Sequence, residues 1–126
     1  MALDKILDWA SSSESFLHHN FFDNKGFIRL VNYEQCPVPH IEYKVSDKFR
    51  YQGIMSKELP KYLETCAKKG YDVLIAVVMS NNIPSIKLLK NNNFVFVKSF
   101  GQRESYIWHH GAKKSQTKKM ISEVIN

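Results

Sequence analysis

Cysteine is nearly missing from this chain: Cys36 and Cys66 stand alone among 126 residues, with no short spacing between them. That excludes a disulfide framework and reads as two reduced thiols in a cytosolic, hence cytoplasmic, protein. No apolar run approaches the ~20 residues that a membrane-spanning helix needs, so no membrane partner is expected. The N-terminus has neither the basic start nor the apolar stretch of a secretory signal, which argues against export. Metal-ligand spacing is absent too. His18-His19 and His109-His110 are adjacent pairs that a strand would turn to opposite faces, and no cysteine or carboxylate follows at ligand distance. Internal repeats and low-complexity segments are lacking, and the length suits one domain over residues 1–126.

Positive charge is in excess, with a formal net charge of +6. Part of it sits in Lys113, Lys114, Lys118 and Lys119, beside Met120, Ile121, Val124 and Ile125, so residues 113–125 read as an amphipathic C-terminal helix. A solvated helix face is the plain explanation. Nucleic acid or an acidic protein surface is the second, and no interleaving of aromatic and basic residues raises it further.

The remaining pattern is that of a mixed α/β chain. Leu3, Ile6, Leu7 and Ala10 make one stripe on a short helix, which Ser11-Ser12-Ser13 breaks. Residues 16–22 and 27–33 read as strands joined by the turn Asp23-Asn24-Lys25-Gly26. After a loop with two prolines, His40–Val45 is a third strand. Met55, Leu59, Leu63, Cys66 and Ala67 recur at helical spacing up to Gly70, although Pro60 predicts either a kink or a regular helix that begins only near Leu59. Val73–Met79 is apolar on both faces, as in a buried central strand. Asn82 caps a helix with Pro84 in its first turn, and Asn93 can take the left-handed conformation that ends it. Residues 94–100 and 105–108 form a last hairpin through Gly101. The order gives a mixed sheet with two helices packed on it.

Two stretches carry the functional signal. Arg50-Tyr51-Gln52-Gly53-Ile54-Met55-Ser56 follows the strand His40–Val45 and opens a helix; Asn82-Ile83-Pro84-Ser85-Ile86-Lys87-Leu88-Leu89 follows Val73–Met79 and opens another. A strand–turn–helix junction with a glycine and a basic residue can aim backbone N–H groups at a phosphate. The pair of junctions resembles the GNAT superfamily of acetyl-CoA-dependent acyltransferases. Its phosphate loop has Arg or Gln, then Gly three residues on, then a small residue two further; here these are Arg50, Gly53 and, as a departure, Met55. Its second signature is matched by Asn82, Ser85, Ile86, Leu88 and Asn93-Phe94, with Asn93 where Gly is usual. The resemblance spans roughly residues 26–108, and His40–Val45 with the run 51–59 is similar to the ribosomal-protein N-acetyltransferases.

The resemblance implies a mostly antiparallel sheet in which His40–Val45 and Val73–Met79 form a splayed parallel pair, flanked by helices, with the N-terminal part shortened. It implies coenzyme A, as acetyl-CoA, bound through Val45, the loop from Arg50, Tyr51, Gln52 and Gly53 to Ile54, Met55 and Ser56, and the helix start at Asn82 and Ser85. For Asn82 and Ser85 the plain alternative is a helix cap and a solvent-facing serine. The family's proton donor, a tyrosine, falls at Leu89, and its base, a glutamate, at Val77. Neither residue can serve. Glu42 therefore becomes the candidate base, with Tyr43 and Tyr106 as candidate proton donors, and Glu42 and Tyr106 are taken as the catalytic pair. The expected function is acetyl transfer to an amine acceptor, in a protein or a small molecule. The alternatives are a catalytically degenerate coenzyme A-binding protein that acts through protein or nucleic-acid contacts, and a basic adaptor for nucleic acid or an acidic protein. Apolar surface left by the reduced N-terminal part and the tail suggests a homodimer.

Overall fold

A computed structural model describes residues 14–21, 23–47 and 53–112. The two terminal amphipathic segments expected over residues 3–11 and 113–125, and with them Arg50, Tyr51 and Gln52 of the loop, lie outside the described residues. The elements run β1 (Glu14–Phe21), β2 (Gly26–Asn32), β3 (His40–Val45), α1 (Ile54–Lys68), β4 (Val73–Met79), α2 (Ile83–Asn91), β5 (Val95–Phe100) and β6 (Arg103–His109). They form one six-stranded sheet in the order β1-β2-β3-β4-β6-β5. Every neighbouring pair is antiparallel except β3 with β4, which is parallel. This is the mixed sheet with a central parallel pair that the sequence implies.

Local chemistry explains the connections. Between β1 and β2, Asp23 and Asn24 hold φ of 52° and 65°, the left-handed pair that a tight hairpin of matching twist requires. Gly26 then faces Phe21 across the ladder, where a Cβ would lie 2.3 Å from the phenyl ring, so any larger residue would displace that ring. The β1–β2 register shifts between Phe16 and His19, and Leu17 there has a φ of 50°. The Tyr62 hydroxyl of α1 donates to the carbonyl of Leu17 at 2.7 Å, which satisfies a backbone group the bulge takes out of the ladder.

Helix α1 begins at Ile54, one turn earlier than the proline suggests, and runs through Pro60. Pro60 has no N–H to donate to the Ser56 carbonyl, so the packing of Leu59, Tyr62, Leu63 and Cys66 must hold this helix against the lost bond. Asn93 takes a φ of 67° beyond α2, the conformation expected of it. The last hairpin reaches back to Arg103, two residues more than its alternation shows, because β5 has a register shift between Phe96 and Lys98.

Cross-strand partners share a face of the sheet. Ile28 with Tyr43, Leu30 with Ile41, Leu74 with Trp108 and Ala76 with Tyr106 therefore line one side. Leu59, Tyr62, Leu63 and Cys66 of α1 and Leu89 of α2 join these residues in a single apolar cluster. Both helices thus cover the same face. Burying each of its larger side chains stabilises the fold by roughly 1.5–3 kcal/mol before entropy is counted. Among the described residues, no helix is long and apolar enough to cross a membrane.

Tyr62→Phe should keep the core volume but leave the Leu17 carbonyl without its donor, at a cost of about 1–3 kcal/mol. Urea denaturation checks this; an unchanged midpoint would mean that the bulge does not depend on the bond.

Candidate functional site

β3 and β4 meet in register only at His40 and Ile75, next to a bond in which the Ile75 N–H donates to the Pro39 carbonyl at 3.0 Å. Beyond that bridge the strands diverge toward their C-terminal ends, and each is followed in the chain by a helix. A groove of about 290 Å³ occupies the opening. Tyr43, Lys44 and Val45 line it from β3, Gly53, Ile54, Met55 and Ser56 from the start of α1, and Asn82, Pro84, Ser85 and Leu88 from α2.

The two helix starts differ in a way that sets the groove's electrostatics. Gly53 is the N-cap of α1 in the left-handed region, with φ 72° and ψ 11°, and no side chain caps this helix. The first turn also carries no acidic residue. Its N–H groups and the positive end of the helix dipole are therefore open to an anion. A glycine at this point removes both the strain of a left-handed L-residue and the bulk of a Cβ. At α2, by contrast, the Asn82 Oδ1 accepts from the Ser85 N–H at 3.3 Å. Asn82 is thus a helix cap, as the plain reading holds, and it also faces the groove. The cap uses only its amide oxygen, so the NH2 group keeps its donors.

Ser85 does not face solvent. It is 9% exposed, and its Oγ lies 2.5 Å from the Tyr43 hydroxyl. Burial pushes the Tyr43 phenol above its ordinary range, against the lowering effect of the Ser85 bond. Met55 is half-buried; it lines the groove and packs against the core cluster.

Among the expected cofactor residues, the groove brings together Val45, Gly53, Ile54, Met55, Ser56, Asn82 and Ser85. The two expected catalytic side chains are elsewhere. Glu42 is the cross-strand partner of Arg29, on the face away from the helices. Its Oε1 accepts from Arg29 Nε at 3.0 Å and Nη2 at 2.9 Å, and its Oε2 accepts from the Tyr33 hydroxyl at 3.3 Å. Tyr106 is 2% exposed in the core and donates to Glu104 Oε2 at 2.8 Å. Burial, with the Glu104 bond and charge, pushes its phenol up to about 12. Lys44 lines the groove without having been singled out by sequence, and Pro84 and Leu88, marked there only as parts of the helix pattern, line it too. Strand alternation places a residue on a face, and the motif spacing marks only the helix starts. Among the described residues no group of three or more metal-ligating side chains converges.

No family model and no curated protein matches this sequence. Solved structures do. The protein PH1933 from Pyrococcus horikoshii OT3 shares 28% identity at a TM-score of 0.57, over 69% of this chain and 59% of that one. The PaiA N-acetyltransferase from Thermoplasma acidophilum, solved in complex with coenzyme A, aligns at a TM-score of 0.63 with 18% identity, over 86% of this chain and 69% of that one. The ribosomal-protein-S5-alanine acetyltransferase from Vibrio fischeri aligns at 0.58 with 14% identity, over 89% and 71%. The chain thus spans about three fifths of the length of PH1933, and its fold is that of the GNAT superfamily.

Asn82→Ala removes the α2 cap and should cost about 1 kcal/mol of stability. Thermal unfolding at fixed pH measures it, and an unaltered midpoint would show that the Ser85 N–H finds another acceptor.

Proposed function

We propose that this protein transfers an acetyl group from acetyl-CoA to an amine acceptor. The observation that carries the reading is the uncapped N-terminus of α1 at the mouth of a groove between two diverging parallel strands. The residues present fit coenzyme A. Gly53 and the first-turn N–H groups of Ile54, Met55 and Ser56 suit the pyrophosphate, with Arg50, Tyr51 and Gln52 completing the loop. Val45 and the diverging part of β3 suit the amide-bearing arm, which an extended strand can pair with as it would with another strand. Asn82 and Ser85 close the other side. The carriage of coenzyme A and acetyl-CoA by proteins of this fold supports the same reading.

Acetyl-CoA supplies an activated acyl group as a thioester; the chain's own work is to hold it, exclude water and move protons. Glu42 is the carboxylate on β3 and the candidate base, and it accepts hydrogen bonds from Arg29 and Tyr33. The acceptor is an amine of a protein or of a small molecule, and the ribosomal-protein acetyltransferase among the structural neighbours supports a protein amine. A second reading has a specific observation in its favour. Leu89 and Val77 bear no ionisable group, and Tyr106 is bonded inside the core, as in a coenzyme A-binding protein that has lost catalysis.

Isothermal calorimetry with acetyl-CoA separates these readings from an adaptor function. The wild type should bind one equivalent, and Gly53→Glu, which sets a carboxylate and a strained φ at the anion site, should weaken binding at least ~10-fold, roughly 1.4 kcal/mol. A folded wild type that does not bind overturns the proposal. Binding without acetylation of any amine in a peptide and polyamine screen would favour the degenerate reading.

A further inference from the structure

We propose that Tyr43, held by Ser85, is the group that donates a proton to the thiolate of coenzyme A; this rests on the groove being the acetyl-CoA site. A thiolate leaving from carbon is stabilised by any donor poised to protonate it, and a poised donor contributes in the transition state where that charge develops. Among the described lining residues, Tyr43 is the only phenol, and carboxylates and imidazoles are absent. Lys44 is exposed and stands on the opposite face.

Placement agrees. Val45 is the residue of β3 nearest the uncapped start of α1, and Tyr43 lies two residues further from it on the same face, about 7 Å along the strand. An arm anchored by its phosphates at Gly53 and laid along β3 therefore passes Val45 before it reaches Tyr43. The Tyr43 and Ser85 hydroxyls tie β3 to α2 at this point, so the phenol is held by a partner that can give or accept a proton. Among the described residues, the cross-strand partner of Tyr43 on β2 is Ile28, and apart from Lys44 on the opposite face the other groove-lining residues, Ser56 on α1 and Asn82 and Ser85 on α2 among them, bear no ionisable side chain. Burial keeps the phenol protonated across the neutral range, as an acid must be before the step.

The step balances. The amine nitrogen forms a bond to the acyl carbon, and the C–S bond breaks with its electron pair going to sulfur. Tyr43 passes its hydroxyl proton to that sulfur. Ser85 hydrogen-bonds the resulting phenolate, which regains a proton equal to the one the amine nitrogen sheds to water. Nothing is oxidised or reduced.

An equilibrium readout tests this without the acceptor. A donor at the sulfur favours the thiolate, so the thiol of bound coenzyme A should ionise at lower pH than when free, and affinity should rise with pH up to the free thiol's own value. One unit of depression is a tenfold gain. Calorimetric titrations with coenzyme A and desulfo-coenzyme A from pH 6 to 9 isolate the sulfur, because both carry the same phosphates. Wild type should gain about tenfold for coenzyme A relative to the desulfo form. Tyr43→Phe should abolish that gain while still binding desulfo-coenzyme A, and Ser85→Ala should reduce it. Equal pH profiles for the two ligands, or a gain that survives in Tyr43→Phe, overturn the inference and leave the cofactor reading standing. Failure of both ligands to bind wild type overturns both.

Discussion

A parallel strand pair that pairs once and then separates is the constraint on which the rest of this structure depends. β3 and β4 are central strands, and their backbone amides are strong donors and acceptors that the interior cannot leave unmade. Antiparallel neighbours β2 and β6 satisfy the outer edges of the two strands. Their inner edges share only the His40–Ile75 bridge. The groove is what this costs the fold, and an extended, amide-bearing ligand is the chemistry that repairs it. The starts of α1 and α2 stand at the two lips of the same opening.

The two helix starts then divide the work. α1 has a glycine cap, no side-chain acceptor and no acid in its first turn, so its dipole is available to something outside the chain. α2 satisfies its own first turn through Asn82 and receives Pro84 where no N–H is needed. With α2 capped internally, its contribution to the groove is instead a pair of polar side chains, Asn82 and Ser85. The interior proline of α1 fits this picture. It removes a backbone bond from the Ser56 carbonyl just beyond the open turn, while the apolar stripe behind it keeps the helix fixed.

Much of this was legible in the sequence because it follows from short-range chemistry. β3 and β4 have the bounds that alternation and apolarity mark, and Asn93 is left-handed where a glycine would be usual. The misjudged points have long-range causes. Pro60 suggested either a kink or a late start for α1; the late start is not what forms, because tertiary packing on Leu59, Tyr62 and Leu63 overrides an intrinsic helix penalty of about 3 kcal/mol. The start of β6 was placed two residues late because the bulge in β5 changes which residues face each other. On sequence alone Tyr106 stood ahead of Tyr43, although both are strand tyrosines whose alternation gives only a face. The structure separates them: one ends beside Ser85 in the groove, the other beside Glu104 inside the core.

Glu42 shows how the two faces of β3 bear on the chemistry. Odd-numbered Ile41, Tyr43 and Val45 turn toward the helices, so a ligand between β3 and α2 meets Tyr43. Glu42 turns the other way, to Arg29 across the ladder and to Tyr33. A base acting there would reach the splay from the side of the sheet that neither α1 nor α2 covers, while Tyr43 reaches it from the helix side. An acyl carbon held between the strands would then meet a carboxylate from one face of the sheet and the Tyr43 phenol from the other. In that arrangement the Arg29 guanidinium already occupies Glu42, so an incoming amine would have to share the carboxylate with it. The divergence of β3 from β4 thus decides which side of the sheet can receive the acceptor, whatever that acceptor is.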